Sequence, residues 1–169
     1  MNKVKVAVIG FGHLGKWHTQ KAAGLDQAEL VAIVEPYEKN RDIARQDYPG
    51  VKIVSKIEDV IDEIDAAIIV TPTSTHFELC ETLLKKQKHI FCEKPLCSTI
   101  AQAKDLKKHI SKQTVQVGHS ERCHKAWEDL AEQIENLPAK KTIKITRHAA
   151  FKGRATDVDV VQDLMIHDI

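Results

Sequence analysis

A glycine-rich hexapeptide separates the first apolar run of the chain from a stretch with helical periodicity. It consists of Gly10, Phe11, Gly12, His13, Leu14 and Gly15, which have the spacing GxGxxG. The first glycine permits a tight turn, the second lets the backbone approach a diphosphate, and the third lets the helix pack closely on the strand. Free amides at the helix start would then bind the phosphates. An ordinary glycine turn is the alternative, because the hexapeptide alone is weak evidence.

A single carboxylate strengthens the dinucleotide interpretation. Glu35 ends the second apolar run, twenty residues after Gly15. A carboxylate there can accept hydrogen bonds from both adenosine ribose hydroxyls, and it repels a 2′-phosphate. The pattern therefore predicts a cofactor site with NAD favoured over NADP. Arg41 leaves room for NADP, although a solvated role at the start of the next helix is the favoured explanation for this arginine.

Polar residues also follow the fourth apolar run, at the edge where an open parallel sheet faces its ligand. They are Thr71, Pro72, Thr73, Ser74, Thr75 and His76. We expect Thr71, Pro72, Thr73 and His76 to line the nicotinamide ribose side of the cofactor. Capping of the next helix by Ser74 or Thr75 is the alternative, and both interpretations can hold together.

Three motifs in order give the chain a family resemblance. Glu93, Lys94 and Pro95 follow the fifth apolar run, and Asp163 precedes His167 by four residues. With the GxGxxG spacing, they resemble the glucose-fructose oxidoreductase/inositol dehydrogenase (Gfo/Idh/MocA) family over essentially the whole chain. The resemblance implies an NAD-dependent oxidoreductase that transfers a hydride between the secondary alcohol of a sugar or sugar nucleotide and the nicotinamide.

The resemblance also implies roles for the candidate site. The Lys–Pro bond is commonly cis in the family, which would aim Lys94 at the nicotinamide, with Glu93 also at the cofactor. Asp163 and His167, four residues apart on one helix face, would point into a cleft between domains. A neutral imidazole, or a lysine beside a cationic ring, can take the hydroxyl proton. Whether His167 or Lys94 is the base stays open, and Asp163 would orient the substrate.

Finer matches resemble one subgroup of the family. Residues 118–122 and 157–169 are similar to bacterial members that oxidise nucleotide-linked amino sugars, such as UDP-N-acetylglucosamine 3-dehydrogenases. Arg122 would pair with a substrate phosphate or carboxylate, and a structural ion pair is the equal alternative. The chain departs from those relatives at Cys123, His124 and Lys125, where they often have Phe-Asn-Pro. The sugar, the ring carbon and the reaction direction stay open.

The elements that must position these residues follow from hydrophobic periodicity. Predicted strands cover residues 3–9, 30–34, 51–54, 66–70, 89–92 and 115–117, and predicted helices cover 14–24, 39–47, 57–61, 75–86, 100–111 and 122–134. Short apolar runs are typical of strands buried on both faces. Their alternation with helices predicts an α/β fold with a doubly wound parallel sheet of Rossmann type.

The pattern changes after Pro138. Residues 142–151 form an extended run without a crossover helix, which predicts the first strand of a different sheet, and residues 157–169 predict the start of another helix. We therefore expect an NAD-binding Rossmann domain over 1–120. Residues 121–169 would be a connecting helix and the incomplete start of an α+β substrate domain. Exposed apolar surface on 142–151 would favour a homo-oligomer.

Composition limits the function further. The 169 residues, 43% apolar and 29% charged, suit one well-buried domain but not two complete ones. Lysine and arginine total 25 against 24 acidic residues, which favours a small ligand over nucleic acid or a membrane surface. The amino terminus lacks a secretory apolar segment, and no run is long enough to span a bilayer, so we expect a cytoplasmic protein.

A metal site and a non-catalytic binding module are the alternatives to a dehydrogenase. His119, Cys123 and His124 suggest a metal site, but no second Cys/His cluster with zinc spacing accompanies them, so we expect no metal. A non-catalytic dinucleotide-binding module or redox sensor is the second alternative. The lysine, aspartate and histidine of the candidate site argue against it, because a pure binder needs no proton-transfer groups.

Overall fold

The computed structural model describes residues 2–125, 135–136, 138, 144, 146, 159–163 and 165–167. The chain divides into two compact units, Met1–Gly118 and His119–Ile169. Of the predicted helix over 122–134, the part after residue 125 lies outside the described residues. Of the predicted strand over 142–151, only residues 144 and 146 are described. No helix within the described ranges is long and apolar enough to cross a membrane.

A six-stranded parallel sheet forms the framework of the first unit. Its strands are β1 (Val4–Ile9), β2 (Ala28–Val34), β3 (Lys52–Val54), β4 (Ala66–Ile69), β5 (His89–Glu93) and β6 (Val115–Gly118). They lie in the order β3-β2-β1-β4-β5-β6, and all neighbours pair in parallel. The predicted doubly wound Rossmann sheet is confirmed. Its strand order reverses between β1 and β4, where such sheets open a crevice for ligands.

The helices that connect these strands match the predicted pattern except in one segment. They are α1 (His13–Ala23), α2 (Glu38–Asp47), α3 (Thr73–Lys85) and α4 (Ile100–His109). The predicted helix over 57–61 is wrong, because two 3₁₀ turns, Ile57–Asp59 and Ile61–Glu63, connect β3 to β4 instead. The two 3₁₀ turns already bury Ile57 and Ile61, so apolar residues at this spacing do not require an α-helix here.

Apolar residues cover both faces of the sheet. In β2, Ala32 and Val34 belong to one buried cluster, whereas Ile33 belongs to another with Phe11 and Ala44. Successive side chains of a strand point to opposite faces, so a strand covered on both sides must be apolar throughout. This burial explains why short, nearly continuous apolar runs predicted the strands correctly.

The second unit is described only in short pieces. Arg122 lies in a 3₁₀ turn, Ser120–Cys123, so the predicted helix does not begin at this residue. An α-helix covers Val160–Asp163, and a 3₁₀ turn covers Met165–His167, with residue 164 outside the described ranges. The helix predicted to start in residues 157–169 is therefore observed over Val160–Asp163, and a 3₁₀ turn follows it within the described residues. The tighter 3₁₀ winding changes the angle between successive residues, so a four-residue spacing does not by itself place two side chains on one face.

Candidate functional site

The three glycines of the GxGxxG turn lie in three different environments. Gly10 has a φ of +98°, and a Cβ there would lie 2.7 Å from the carbonyl oxygen of Val70. A Cβ at Gly15 would overlap the carbonyl oxygen of Gly10. In contrast, a Cβ at Gly12 would meet no atom within 4 Å. Two glycines are therefore needed for the fold, whereas the second leaves open space next to the start of α1.

The start of α1 offers backbone donors to a ligand. Its N-cap is Gly12, which supplies no side-chain acceptor, and its first turn contains no acidic residue. His13 and Leu14 are exposed there, whereas Phe11 and Gly15 are buried. Uncapped N–H groups and the positive end of the helix dipole favour an anion at this position.

Glu35 ties the end of β2 to the glycine turn. Its carboxylate is 3% exposed and accepts hydrogen bonds from the backbone N–H of Phe11, at 2.7 Å, and of Tyr37, at 3.0 Å. The position of Glu35 after β2 predicted a ribose contact, and nothing local in the sequence indicated these two backbone bonds. A carboxylate oxygen has a second acceptor site, so contacts with backbone and ribose are chemically compatible. Glu35 stays a predicted cofactor ligand.

The side chain of Arg41 bonds to the loop between β2 and α2. Its Nη1 donates to the carbonyl oxygens of Glu35, at 2.8 Å, and Pro36, at 2.6 Å, and its Nη2 pairs with Glu38. Only 13% of its side chain is exposed. The guanidinium therefore holds the carbonyls of this loop, and these contacts give no support to a 2′-phosphate site on Arg41.

The segment after β4 enters α3 two residues earlier than predicted. The helix starts at Thr73 with Pro72 as its N-cap, and no side chain caps it, so the capping proposed for Ser74 or Thr75 is wrong. The fixed φ of proline suits this helix entry without a side-chain cap. Thr75 donates its hydroxyl proton to the carbonyl oxygen of Pro72 at 2.9 Å, and its oxygen lies 2.7 Å from the Thr71 hydroxyl.

His76 lies inside the unit between two loops of the carboxyl edge. It is 1% exposed, with Nδ1 2.9 Å from the carbonyl oxygen of Pro95 and Nε2 2.9 Å from that of Thr71. The ring thus connects the segment after β4 to the segment after β5. The contact of His76 with the cofactor stays a prediction.

The Glu93–Lys94–Pro95 segment leaves the end of β5 at the same edge. The Lys94–Pro95 peptide is cis, and Lys94 is partly exposed. One carboxylate oxygen of Glu93 lies 2.9 Å from Nε2 of His18, and the other accepts the backbone N–H of Lys94 at 3.3 Å. Burial acts to raise the pKa of Glu93, but the His18 bond and the Lys94 contacts outweigh it and lower the pKa below its ordinary value.

The first unit therefore brings together the predicted cofactor residues that follow β1, β2, β4 and β5. The remaining candidates belong to the second unit, where Arg122 is exposed and Asp163 is half-buried at the end of its short helix. The backbone of His167 lies in the 3₁₀ turn that follows. Their meeting with Lys94 stays a prediction, as does the division of labour between His167 and Lys94.

One cluster of possible metal ligands lies between α3 and α4. Within the described part of the chain, one group of three such side chains has ligand atoms within 4.8 Å of one another: Glu81, Asp105 and His109. Lys85 pairs with Glu81 at 3.0 Å, and Lys108 pairs with Asp105 at 2.9 Å. These carboxylates thus have cationic partners already. The segment containing His119 and His124 forms no such group in the same part.

Comparison with known proteins identifies the family. The sequence model of the Gfo/Idh/MocA oxidoreductases, described as an oxidoreductase family with an NAD-binding Rossmann fold, matches residues 4–120. The chain belongs to this family. The matched region covers the six-stranded sheet and every residue of the edge described above.

Individual relatives agree with this assignment. The chain is 33% identical over its whole length to a UDP-N-acetylglucosamine 3-dehydrogenase of Acidithiobacillus ferrooxidans, covering 53% of that protein. It is 30% identical to an NAD⁺-dependent scyllo-inositol 2-dehydrogenase of Bacillus subtilis, with 79% of the chain and 41% of the relative aligned. The chain thus spans about half the length of the curated relatives it matches.

Solved structures show the same likeness. The UDP-N-acetylglucosamine 3-dehydrogenase of A. ferrooxidans superposes with a TM-score of 0.86 at 31% identity, covering 99% of this chain and 55% of the other. A scyllo-inositol dehydrogenase of Lactobacillus casei, solved with bound NAD(H) and scyllo-inositol, gives a TM-score of 0.73 at 25% identity. That match covers 79% of this chain and 42% of the other.

Proposed function

We propose that the whole protein is an NAD-dependent dehydrogenase that oxidises a secondary alcohol of a sugar or sugar nucleotide. The observation that carries the proposal is the open space at Gly12, beside uncapped helix amides and in a turn whose other glycines are needed for the fold. A diphosphate needs such a space and such donors. Family membership and relatives that act on UDP-N-acetylglucosamine and inositols support the same function.

The residues at the carboxyl edge of the sheet suit the two ends of NAD. Amides at the start of α1 would bind the diphosphate, and Glu35 would accept the ribose hydroxyls while repelling a 2′-phosphate. Thr71 and Thr73, which follow β4, would line the nicotinamide ribose side of the cofactor. NAD, when bound, accepts the hydride of the alcohol.

The chain's own groups would complete the oxidation by moving the proton. The alcohol carbon loses a hydride, its hydroxyl proton passes to the side-chain nitrogen of Lys94 or His167, and a carbonyl product remains. Asp163 would orient the hydroxyl, and Arg122 would bind a phosphate or carboxylate of the substrate. Of these groups, Lys94 is the one that lies on the cofactor edge of the first unit.

Substrate, assembly and location belong to the same proposal. The similarity to a UDP-N-acetylglucosamine 3-dehydrogenase favours a nucleotide-linked amino sugar as substrate. We further propose a cytoplasmic homo-oligomer without nucleic-acid or membrane partners. Residues 1–169 alone would bind NAD but turn over sugar poorly or not at all, because they span about half the length of the relatives.

A substitution at Lys94 tests the chemical part of the proposal. In the whole protein, Lys94→Ala should reduce turnover at least about a hundredfold, because a positioned proton-transfer group contributes at that scale. The dissociation constant for NAD should change less than about threefold, since the diphosphate and ribose contacts are made elsewhere. Initial rates with a panel of nucleotide sugars and polyols, together with NAD titration, provide both numbers.

The opposite pattern would overturn the assignment. If Lys94→Ala abolishes NAD binding, Lys94 is a cofactor ligand and not the proton-transfer group. If the wild-type whole protein reduces NAD with no sugar, sugar nucleotide or polyol of the panel, the dehydrogenase proposal itself is wrong.

A further inference from the structure

A histidine that the proposed function leaves unused contacts the segment that carries Lys94. His18 lies in α1, three residues after Gly15, and its Nε2 is 2.9 Å from Oε1 of Glu93. The two residues are 75 positions apart in sequence. Through this contact, the helix that follows the glycine turn is bonded to the end of β5.

The contact is enclosed and directional. The side chains of His18 and Glu93 are 21% and 16% exposed, and the imidazole packs on the ring of Phe91 with centroids 5.4 Å apart. On another side, a Cβ at Gly118 would lie 3.0 Å from Cδ and Oε1 of Glu93. An ionised carboxylate only accepts, so Nε2 of His18 must be the donor.

The Glu93 carboxylate also bonds to the backbone of Lys94. Its second oxygen, Oε2, accepts the N–H of Lys94 at 3.3 Å. From the other direction, Nδ1 of buried His76 holds the carbonyl oxygen of Pro95 at 2.9 Å. The backbone on both sides of the Lys94–Pro95 peptide is therefore attached to a helix through a histidine.

We propose that His18 is a positioning residue, which acts through Glu93 to hold Lys94 in register with the cofactor bound at the start of α1. This role rests on the proposed dehydrogenase function. It also explains why Glu93 has both oxygens engaged within the protein. The same helix would then bind the diphosphate with its first turn and fix the catalytic lysine from its second.

Two substitutions separate the hydrogen bond from packing. His18→Gln places an amide nitrogen close to the position of Nε2 and keeps the donor, whereas His18→Leu keeps apolar contact with Phe91 and loses the donor. The first measurement is the carboxyl pKa of Glu93, followed by ¹³C NMR in the 169-residue chain. The pKa should rise in His18→Leu, because the contributions of His18 that oppose burial are then lost while those of Lys94 remain, and it should rise less in His18→Gln, which keeps the hydrogen bond.

The second measurement is turnover in the whole protein. His18→Leu should lower kcat about tenfold or more, since small displacements of a catalytic group are costly, while KM and Kd for NAD change less than about threefold. His18→Gln should recover most of kcat. If the contact were only structural, each variant would lose activity only to the extent that its melting temperature falls.

Each failure has a distinct meaning. An unchanged Glu93 pKa in His18→Leu overturns the contact, whether or not the protein is a dehydrogenase. A normal kcat in His18→Leu, or a kcat in His18→Gln as low as in His18→Leu, overturns the positioning role while the dehydrogenase stands. Absence of any NAD-dependent turnover by the wild type overturns the proposed function, and the pKa comparison still decides the contact.

Discussion

The different surroundings of Gly12 and Gly15 allow ligand binding to be separated from folding. In Gly12→Ser, the new side chain enters space that contains no protein atom within 4 Å, and serine is at least as good an N-cap as glycine. Stability should therefore change by no more than a few tenths of a kcal/mol. NAD affinity should fall about tenfold or more, because the hydroxyl occupies both the space and an amide donor.

Gly15→Ala is the matched comparison. Its Cβ would overlap the carbonyl oxygen of Gly10, so this variant should lose folding stability before it loses any specific ligand contact. Thermal unfolding and NAD titration of the two variants provide the comparison. Unchanged NAD affinity in folded Gly12→Ser would contradict the placement of the diphosphate.

Short sequence patterns predicted part of the site. They could not predict contacts between residues that are far apart in sequence. The GxGxxG spacing and the position of Glu35 are visible in short windows. The bonds from Phe11 to Glu35, from His18 to Glu93 and from His76 to Pro95 join residues 24, 75 and 19 positions apart. Only the strand order brings these partners together, so no local periodicity could have identified them.

At the scale of elements, hydrophobic patterning located the strands because each is buried on both faces. Helix ends were less predictable, since they depend on capping and not on periodicity. Thr73 begins α3 behind a proline N-cap, whereas capping by Ser74 or Thr75 was the alternative that the sequence left open. The segment after β3 shows the same limit, because its isoleucines are buried as in a helix but lie in 3₁₀ turns.

One helix start has a complete capping box whose contribution can be measured. The Thr99 hydroxyl accepts the backbone N–H of Gln102 at 3.2 Å, and the Gln102 side chain accepts the N–H of Thr99 at 3.2 Å. Thr99→Ala should lower the free energy of unfolding by about 1 kcal/mol, because it removes the acceptor of the N-cap. Urea denaturation provides the measurement.

An exposed position in the same helix serves as the control. Lys104→Ala should change the unfolding free energy by less than about 0.5 kcal/mol, as is usual for surface substitutions. If Thr99→Ala is as neutral as Lys104→Ala, the capping bonds of α4 do not contribute to the stability of this unit.

At the scale of the whole molecule, thiol reactivity reports the packing of the first unit. Cys80, Cys92 and Cys97 are buried, and Cys123 is exposed. A hydrogen bond with Cys80, together with burial, raises the pKa of Cys92, and burial with the proximity of Cys80 raises the pKa of Cys97 to about 11. Thiolates are the reactive form, so these two thiols should be inert at pH 8 in the folded chain.

A disulfide-exchange reagent measures this directly. One thiol should react rapidly in the native chain, and all four should react in denaturant. Cys123→Ser should remove the rapid phase. Rapid reaction of two or more thiols in the native wild type would contradict the closed core between α3 and β5.

The assignment of the molecule rests on its first unit, and the details of its chemistry depend on the second. The family match over residues 4–120 and the observed sheet order establish the Rossmann fold. The family resemblance alone made Arg122, Asp163 and His167 candidates for the site. Short-range patterns could not determine how their unit packs. Substrate and direction of reaction therefore depend on contacts that the patterns of the first unit do not encode.

Calorimetric titration of the folded 169-residue chain with NAD⁺ and with NADH tests the central claim most directly. We expect saturable one-to-one binding, with NADP⁺ about tenfold weaker because Glu35 opposes a 2′-phosphate. NAD affinity should fall about tenfold or more in Gly12→Ser while the fold is retained. Absence of saturable binding by either oxidation state of NAD, in chain shown to be folded, would contradict the account.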